Sequence, residues 1–231
     1  MANIILDKRM KCIADCVFEN AILADIGTDH GKLPIYLAKC GKIKRAVASD
    51  INEMPLEKAV SNIKKYGLED IIDTYLTDGL KGIEKFSPDC VVIAGMGGEL
   101  IEQILSNSTL DKSNVKFILQ PMTKEESLRR YLCENGYKIT DEYIVKEGKL
   151  YQIICSEYTG EKYEMSDIEY MLGKINIDKK EELFRELLDK VIKRVSTKIE
   201  GRESAQIDVC AEKQTLLGLL KIREDSYGEC K

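Results

Sequence analysis

Positions 21 to 34 read A-I-L-A-D-I-G-T-D-H-G-K-L-P. An apolar run ends at Asp25, a glycine turn follows from Gly27 to Gly31, and then Leu33, Tyr36, Leu37 and Cys40 recur at three- and four-residue spacing. That is a short buried strand, a tight turn and an amphipathic helix, the first half of a β-α-β unit. In open α/β sheets a ligand sits outside the carboxyl ends of the strands where strand order reverses, and a glycine turn lets its backbone come close. The turn is not the G-x-G-x-x-G dinucleotide fingerprint. Asp25 and Asp29 crowd it with carboxylates, which repel a pyrophosphate. Two acids suit a ligand with cationic groups, such as the amino group and sulfonium of S-adenosylmethionine.

Working outward, the same alternation continues. Short apolar runs at 46–50, 71–77, 90–94 and 115–120 read as buried strands. Helical spacing lies between them at Leu56, Ala59, Val60 and Ile63, then at Leu100, Ile101, Ile104 and Leu105, and again over 125–134, where Gly136 acts as a stop. Strands at 138–145 and 150–157 flank the hairpin-length turn Glu147-Gly148-Lys149, an antiparallel pair that closes the sheet. Leu6, Met10, Ile13, Ala14 and Val17 share one face of a leading helix, with Cys12 and Cys16 as packing residues beside it. The pattern is α/β, a Rossmann-like parallel sheet covered by helices.

After Tyr158 no strand-like run remains. Leu183, Leu187, Leu188, Val191, Ile192, Val195 and Ile199 form a long apolar stripe that Gly201 is expected to interrupt. Ile207, Val209, Cys210, Leu216, Leu217, Leu219 and Leu220 form a second, so residues 159–231 read as a coiled-coil-like helical hairpin after a sheet domain over 1–158. Lys190, Lys193, Arg194 and Lys198 line one side of the first stripe, a solvated face or a row of phosphate contacts.

The strand ends carry the chemistry. Asp50 ends the second strand, where an acid can accept hydrogen bonds from both hydroxyls of a ribose. Thr77-Asp78-Gly79 ends the third, where a carboxylate can take the exocyclic amino group of an adenine. The fourth runs into Ala94-Gly95-Met96-Gly97-Gly98, more glycine than a tight strand-to-helix turn needs, which implies a flat ligand against bare backbone. Gln120-Pro121 ends the fifth. His30, the sole histidine, sits beside Asp29, which is either a helix cap or a chemical partner. Asp25, Gly27, Thr28, Asp29, Asp50, Ile51, Asp78, Gly79 and Ala94 to Gly97 are therefore the candidate cofactor site, with Asp29, His30 and Gln120 as candidate catalytic residues.

Composition removes other classes. A formal charge of −5 excludes a general polycation, so any nucleic-acid site is a local patch. Eight cysteines without a C-x-x-C pair and with one histidine argue against zinc or another metal. The first ten residues are too charged for a signal peptide and no run of 18 apolar residues occurs, so neither export nor a membrane is expected. Eight reduced thiols suit the cytoplasm.

Taken together, A-D-I-G-T-D-H-G-K-L-P at 24–34, A-G-M-G-G at 94–98 and L-Q-P at 119–121, in this order, resemble the bacterial tRNA adenine-N1 methyltransferases that modify adenosine 22, the TrmK family. The resemblance extends across the chain. It implies a class I methyltransferase sheet that binds S-adenosylmethionine, with Gly27, Asp29, Asp50, Asp78 and Gly79 on cofactor positions. It also implies a C-terminal helical hairpin that helps grip tRNA, with Lys190, Lys193, Arg194 and Lys198 on phosphates, in a monomer. A methyltransferase for another RNA or a small molecule, and an NAD-dependent oxidoreductase, are the alternatives.

Overall fold

A computed structural model describes residues 4–228, so Cys230 lies outside the described residues. The chain divides into two compact units, Met1–Tyr163 and Glu164–Lys231.

The first unit holds a seven-stranded sheet. Its strands are β1 (Ala21–Ile26), β2 (Ile43–Asp50), β3 (Ile72–Leu76), β4 (Cys90–Met96), β5 (Lys116–Pro121), β6 (Tyr137–Glu147) and β7 (Lys149–Tyr158). They lie in the order β3-β2-β1-β4-β5-β7-β6. The first five are parallel, while β7 runs antiparallel to both β5 and β6. Burial on both faces explains the apolar runs: Leu23 and Ala24 of β1 and Val91, Val92 and Ile93 of β4 have no exposed surface. Helices α1 (Lys8–Cys16), α2 (Lys32–Lys39), α3 (Glu53–Tyr66), α4 (Gly98–Ser106) and α5 (Glu125–Glu134) surround the sheet, and only a 3-10 turn, Ile83–Phe86, joins β3 to β4.

Strand order reverses between β1 and β4, so the glycine turn after β1 and the glycine run after β4 meet at that point. The antiparallel edge is fastened from below. Arg129 of α5 is wholly buried and donates from Nε to Glu142 Oε1 of β6 (2.7 Å) and from Nη2 to Gln152 Oε1 of β7 (2.7 Å).

The sheet unit runs to Tyr163 rather than Tyr158. The N–H groups of Thr159 and Gly160 both donate to the Gly136 carbonyl, and Ile139 N donates to the Tyr163 hydroxyl (3.0 Å), which ties the segment to the start of β6.

The second unit contains α6 (Asp167–Leu172), α7 (Lys174–Lys179), α8 (Phe184–Ser204) and α9 (Cys210–Tyr227). The long helices α8 and α9 are the expected hairpin. The two short ones escape apolar periodicity because six residues give fewer than two turns. Gly201 does not interrupt the first stripe; it lies inside α8. A mid-helix glycine costs about 1 kcal/mol, less than the buried row Leu188, Val191, Val195 and Ile199 returns.

Candidate active site

The end of β1 turns sharply away from the sheet. Gly27 has φ +73°, and its N–H and that of Thr28 both donate to the Ser49 carbonyl of β2 (2.9 Å each), which pins the turn to the neighbouring strand. The left-handed conformation is what calls for glycine here; a Cβ would also meet the Cε methyl of Met96, the movable end of a flexible side chain.

Asp25 is 5% exposed and Thr28 2%. The Thr28 hydroxyl donates to Asp25 Oδ2 at 2.6 Å. Burial pushes the Asp25 carboxyl up to about 6 from 3.8; the Thr28 hydrogen bond opposes this, and the charges of Asp29 and Asp50 add to it. Asp29 behaves differently. Partial desolvation raises its pKa, but the hydrogen bond and charge of Lys32, whose Nζ lies 2.6 Å from Asp29 Oδ2, together with the charges of His30 and Arg9, leave it lowered. Asp29 is not a helix cap: the N-cap of α2 is Gly31, with no side-chain bond. His30 takes up the left-handed region at φ 58°, its Nδ1 is 3.4 Å from Asp29 Oδ1, and its carbonyl accepts from Asn62 Nδ2 (2.9 Å).

Two adjoining hollows open at this edge. One, of about 260 Å³, is lined by Arg9, Asp25, Gly27, Asp29, Lys32, Ala94 and Gly95, with Met10 and Leu33 as its apolar wall. The other, of about 320 Å³, is lined by Gly27, Asp50, Ile51, Asn52, Thr77, Asp78, Gly79, Gly95 and Met96, with Leu100 and Ile104 beneath. They share Gly27, Ala94 and Gly95, the backbone of the reversal point. Asp50 Oδ1 accepts from the backbone and side chain of Asn52 (2.7 and 3.1 Å), so its carboxylate is fixed at the rim. Asp78 is exposed and pairs with Lys81 at 2.6 Å.

The strand ends thus bring together Asp25, Gly27, Asp29, Asp50, Ile51, Asp78, Gly79, Ala94, Gly95 and Met96. Four candidates stand elsewhere. Thr28 supports Asp25 from behind, and His30 stands beside Asp29. Gly97 lines neither hollow. Gln120 has no exposed surface, and both ends of its amide are engaged: Oε1 accepts from Arg9 Nη1 (2.6 Å) and Gly95 N (3.2 Å), while Nε2 donates to the Pro121 carbonyl (2.7 Å).

The glycine run is explained mostly from within. Gly95 has φ +81°, and a Cβ at Gly98 would stand 2.5 Å from the Lys124 carbonyl oxygen, while Gly97 is the N-cap of α4, so none of the three glycines calls for a ligand.

Arg9 lines the first hollow and bonds Gln120, and the sequence pattern did not mark it. Helical spacing on α1 selects its apolar neighbours, and nothing local shows that Arg9 reaches the end of β5.

A zwitterion with a nucleoside fits this donor set: acids near the turn for an ammonium and a sulfur cation, fixed Asp50 for a ribose, and Asp78 beside an apolar floor for a base. A family model described as a methyltransferase domain matches residues 6–154. The tRNA (adenine(22)-N(1))-methyltransferase of Bacillus subtilis is 37% identical over 160 residues, 68% of this chain and 67% of its own length. The chain belongs to this methyltransferase family.

Solved structures agree with that membership. A Streptococcus pneumoniae member in complex with S-adenosyl-L-methionine is 32% identical, with a TM-score of 0.82 over 94% of this chain and 100% of its own. TrmK of M. capricolum, bound to S-adenosyl-homocysteine, is 28% identical, with a TM-score of 0.75 over 95% of this chain and 97% of its own. The methyltransferase family uses S-adenosylmethionine, and the two hollows have the chemistry to hold it. Among the described residues no group of His, Cys, Asp and Glu could hold a metal ion, and no helix is long and apolar enough to cross a membrane.

Proposed function

We propose that this protein transfers the methyl group of S-adenosylmethionine to N1 of adenosine 22 in tRNA. The observation that carries the reading is the pair of acid-rimmed hollows joined over Gly27 and Gly95 at the strand reversal, in a chain of this family. When bound, the cofactor supplies an electrophilic methyl on a sulfur cation.

Asp25 and Asp29 hold and orient its amino group, Asp50 accepts from the ribose hydroxyls, Asp78 accepts from the adenine amino group, and Ile51 with Leu100 covers the ring. Adenine N1 would use its own lone pair to form the new N–C bond as the S–C bond breaks, so that the positive charge would end on the methylated base and a neutral thioether would leave. No proton leaves the nucleophile, so no general base is required. The protein's contribution is alignment, which in well-oriented systems contributes up to roughly 7–11 kcal/mol.

The backbone of 94–97 frames the target base, and buried Gln120 holds that backbone through the Gly95 N–H. We read Asp29, with His30 at its side, as the group that orients the base and balances the charge that develops on it. Adenine N1 is hidden in a base pair, so the target enters unpaired or extruded.

On the second unit Lys190, Lys193, Arg194 and Lys198 are all exposed along α8. We read them as phosphate contacts, which position RNA by shape. Lys198 also pairs with Glu212 of α9 at 3.1 Å. A tRNA substrate places the protein in the cytoplasm.

The test is incubation with methyl-labelled S-adenosylmethionine and unmodified tRNA, followed by nucleoside digestion. Label in 1-methyladenosine is expected, and it should vanish when position 22 is changed to guanosine. Label in another nucleoside, or none, removes the proposal.

A further inference from the structure

The rim of the first hollow continues past Arg9 onto the β6–β7 hairpin. Because β7 runs antiparallel to β5, with Ile154 opposite Leu119, the start of β7 stands where β5 leaves the sheet, at the same edge as the strand ends that carry the acids. Tyr151 lies in that start and is half-buried. Its ring centroid is 5.5 Å from the Arg9 guanidinium and 5.2 Å from Lys149 Nζ. Arg9 in turn lines the hollow and donates to Gln120 Oε1 (2.6 Å). One side chain therefore separates an aromatic ring from the hollow.

The ring stands on the face of the hairpin that meets α1. Val145, opposite Tyr151, and Ile153 both pack into the core to which α1 contributes Ile13 and Ala14. The hairpin tip is tied to the same helix, since Lys8 N donates to Glu147 Oε2 (3.1 Å). That bond engages one of the two acids nearby. The other, Asp7, accepts from Met10 N (2.7 Å) and stands 4.0 Å from Arg9. Lys8 and Lys149 are both exposed. An aromatic ring among cations is what an unpaired nucleic-acid strand stacks on: a face for one base, and charge for the phosphates beside it.

We propose that Tyr151 is a stacking platform for a base beside the target adenosine, with Lys149 and Lys8 on the phosphates that flank it. This rests on the reading of tRNA as the substrate. A target that leaves its helix to reach the methyl group unstacks its neighbours, and Tyr151 stands at the mouth through which they approach. The sheet unit then has its own grip on the RNA, in addition to the row on α8.

The experiment pairs filter binding of unmodified tRNA with calorimetry of S-adenosylhomocysteine on the full chain. Tyr151→Ala is expected to weaken tRNA by about 5- to 100-fold, the range for one lost base stack, and to leave S-adenosylhomocysteine within about twofold. Tyr151→Phe keeps the aromatic face and should stay within about twofold of wild type for both ligands. Tyr151→Leu keeps apolar bulk without that face; it should lose tRNA as alanine does, and it serves if the alanine variant does not fold. In tRNA carrying 2-aminopurine at position 21 or 23, binding to wild type should quench the fluorescence at one of the two, and Tyr151→Leu should remove that quenching.

Unchanged tRNA affinity in the alanine and leucine variants overturns the proposal, as does quenching that is the same with and without the ring. Equal losses for tRNA and S-adenosylhomocysteine would mean that Tyr151 only braces Arg9, and a phenylalanine variant as weak as alanine would assign the effect to the hydroxyl; either also overturns it. If the wild-type protein binds no tRNA, the reading of the substrate itself fails, an outcome distinct from the others.

Discussion

Asp25→Asn should make this protein more stable and less able to hold its cofactor. The carboxyl is 5% exposed, and burial raises its pKa from 3.8 to about 6. A raised carboxylate pKa means that the folded state binds the proton more tightly than the unfolded chain does. Asp25 therefore costs nothing below about pH 4, destabilises progressively as pH rises to 6, and exacts its full cost above that. A shift of about 2 units corresponds to about 3 kcal/mol at roughly 1.4 kcal/mol per unit. Asparagine keeps an oxygen to accept from the Thr28 hydroxyl but has no charge to desolvate. Its altered packing adds a constant offset, so the diagnostic quantity is the change with pH. Urea unfolding of both proteins at pH 4, 5, 6, 7 and 8 should show the stability of Asp25→Asn relative to wild type increasing by about 3 kcal/mol from the lowest pH to the highest, and calorimetry with S-adenosylhomocysteine at pH 8 should show weakened binding. A difference that stays flat with pH would refute the assignment of a buried, costly charge to Asp25. A variant that binds the ligand as tightly as wild type would remove the reason for keeping that charge.

The same carboxyl sets a pH dependence for the ligand. A cationic tail favours ionised Asp25, so affinity for S-adenosylhomocysteine should be constant above pH 7 and drop about tenfold by pH 5; constancy across that span would count against the contact. Glu142→Ala strands the buried guanidinium of Arg129 and should cost about 3–5 kcal/mol in urea unfolding, whereas a loss under 1 kcal/mol would show that the pair is not the fastening it looks to be. Replacing Lys190, Lys193 and Arg194 together by alanine should weaken tRNA binding, flatten its dependence on salt and leave S-adenosylhomocysteine affinity alone. Equal tRNA affinity in filter binding would return the stripe to a plain solvated face.

The strands, the glycine turn and the acids of the rim were legible in the chain because each depends on neighbours a few residues away. A buried parallel strand must be apolar throughout, a turn at positive φ selects glycine, and a strand end places the next polar side chain at the rim. The same local logic missed α6, although its capping box, Ser166 with Glu169, was a usable signal. It also overstated the glycines after β4, since the reason for Gly98 is the carbonyl of Lys124, a residue on another segment.

What only the tertiary structure decided is where distant groups meet. Arg9 and Gln120 are 111 positions apart and share a 2.6 Å hydrogen bond. Nothing in either neighbourhood encodes that, because it follows from packing α1 beside the antiparallel β6 and β7, whose position follows in turn from the strand order. Periodicity reports which face of an element is buried. It does not report which other element buries it, and so the acids of the site could be read from the sequence while the cation that complements them could not.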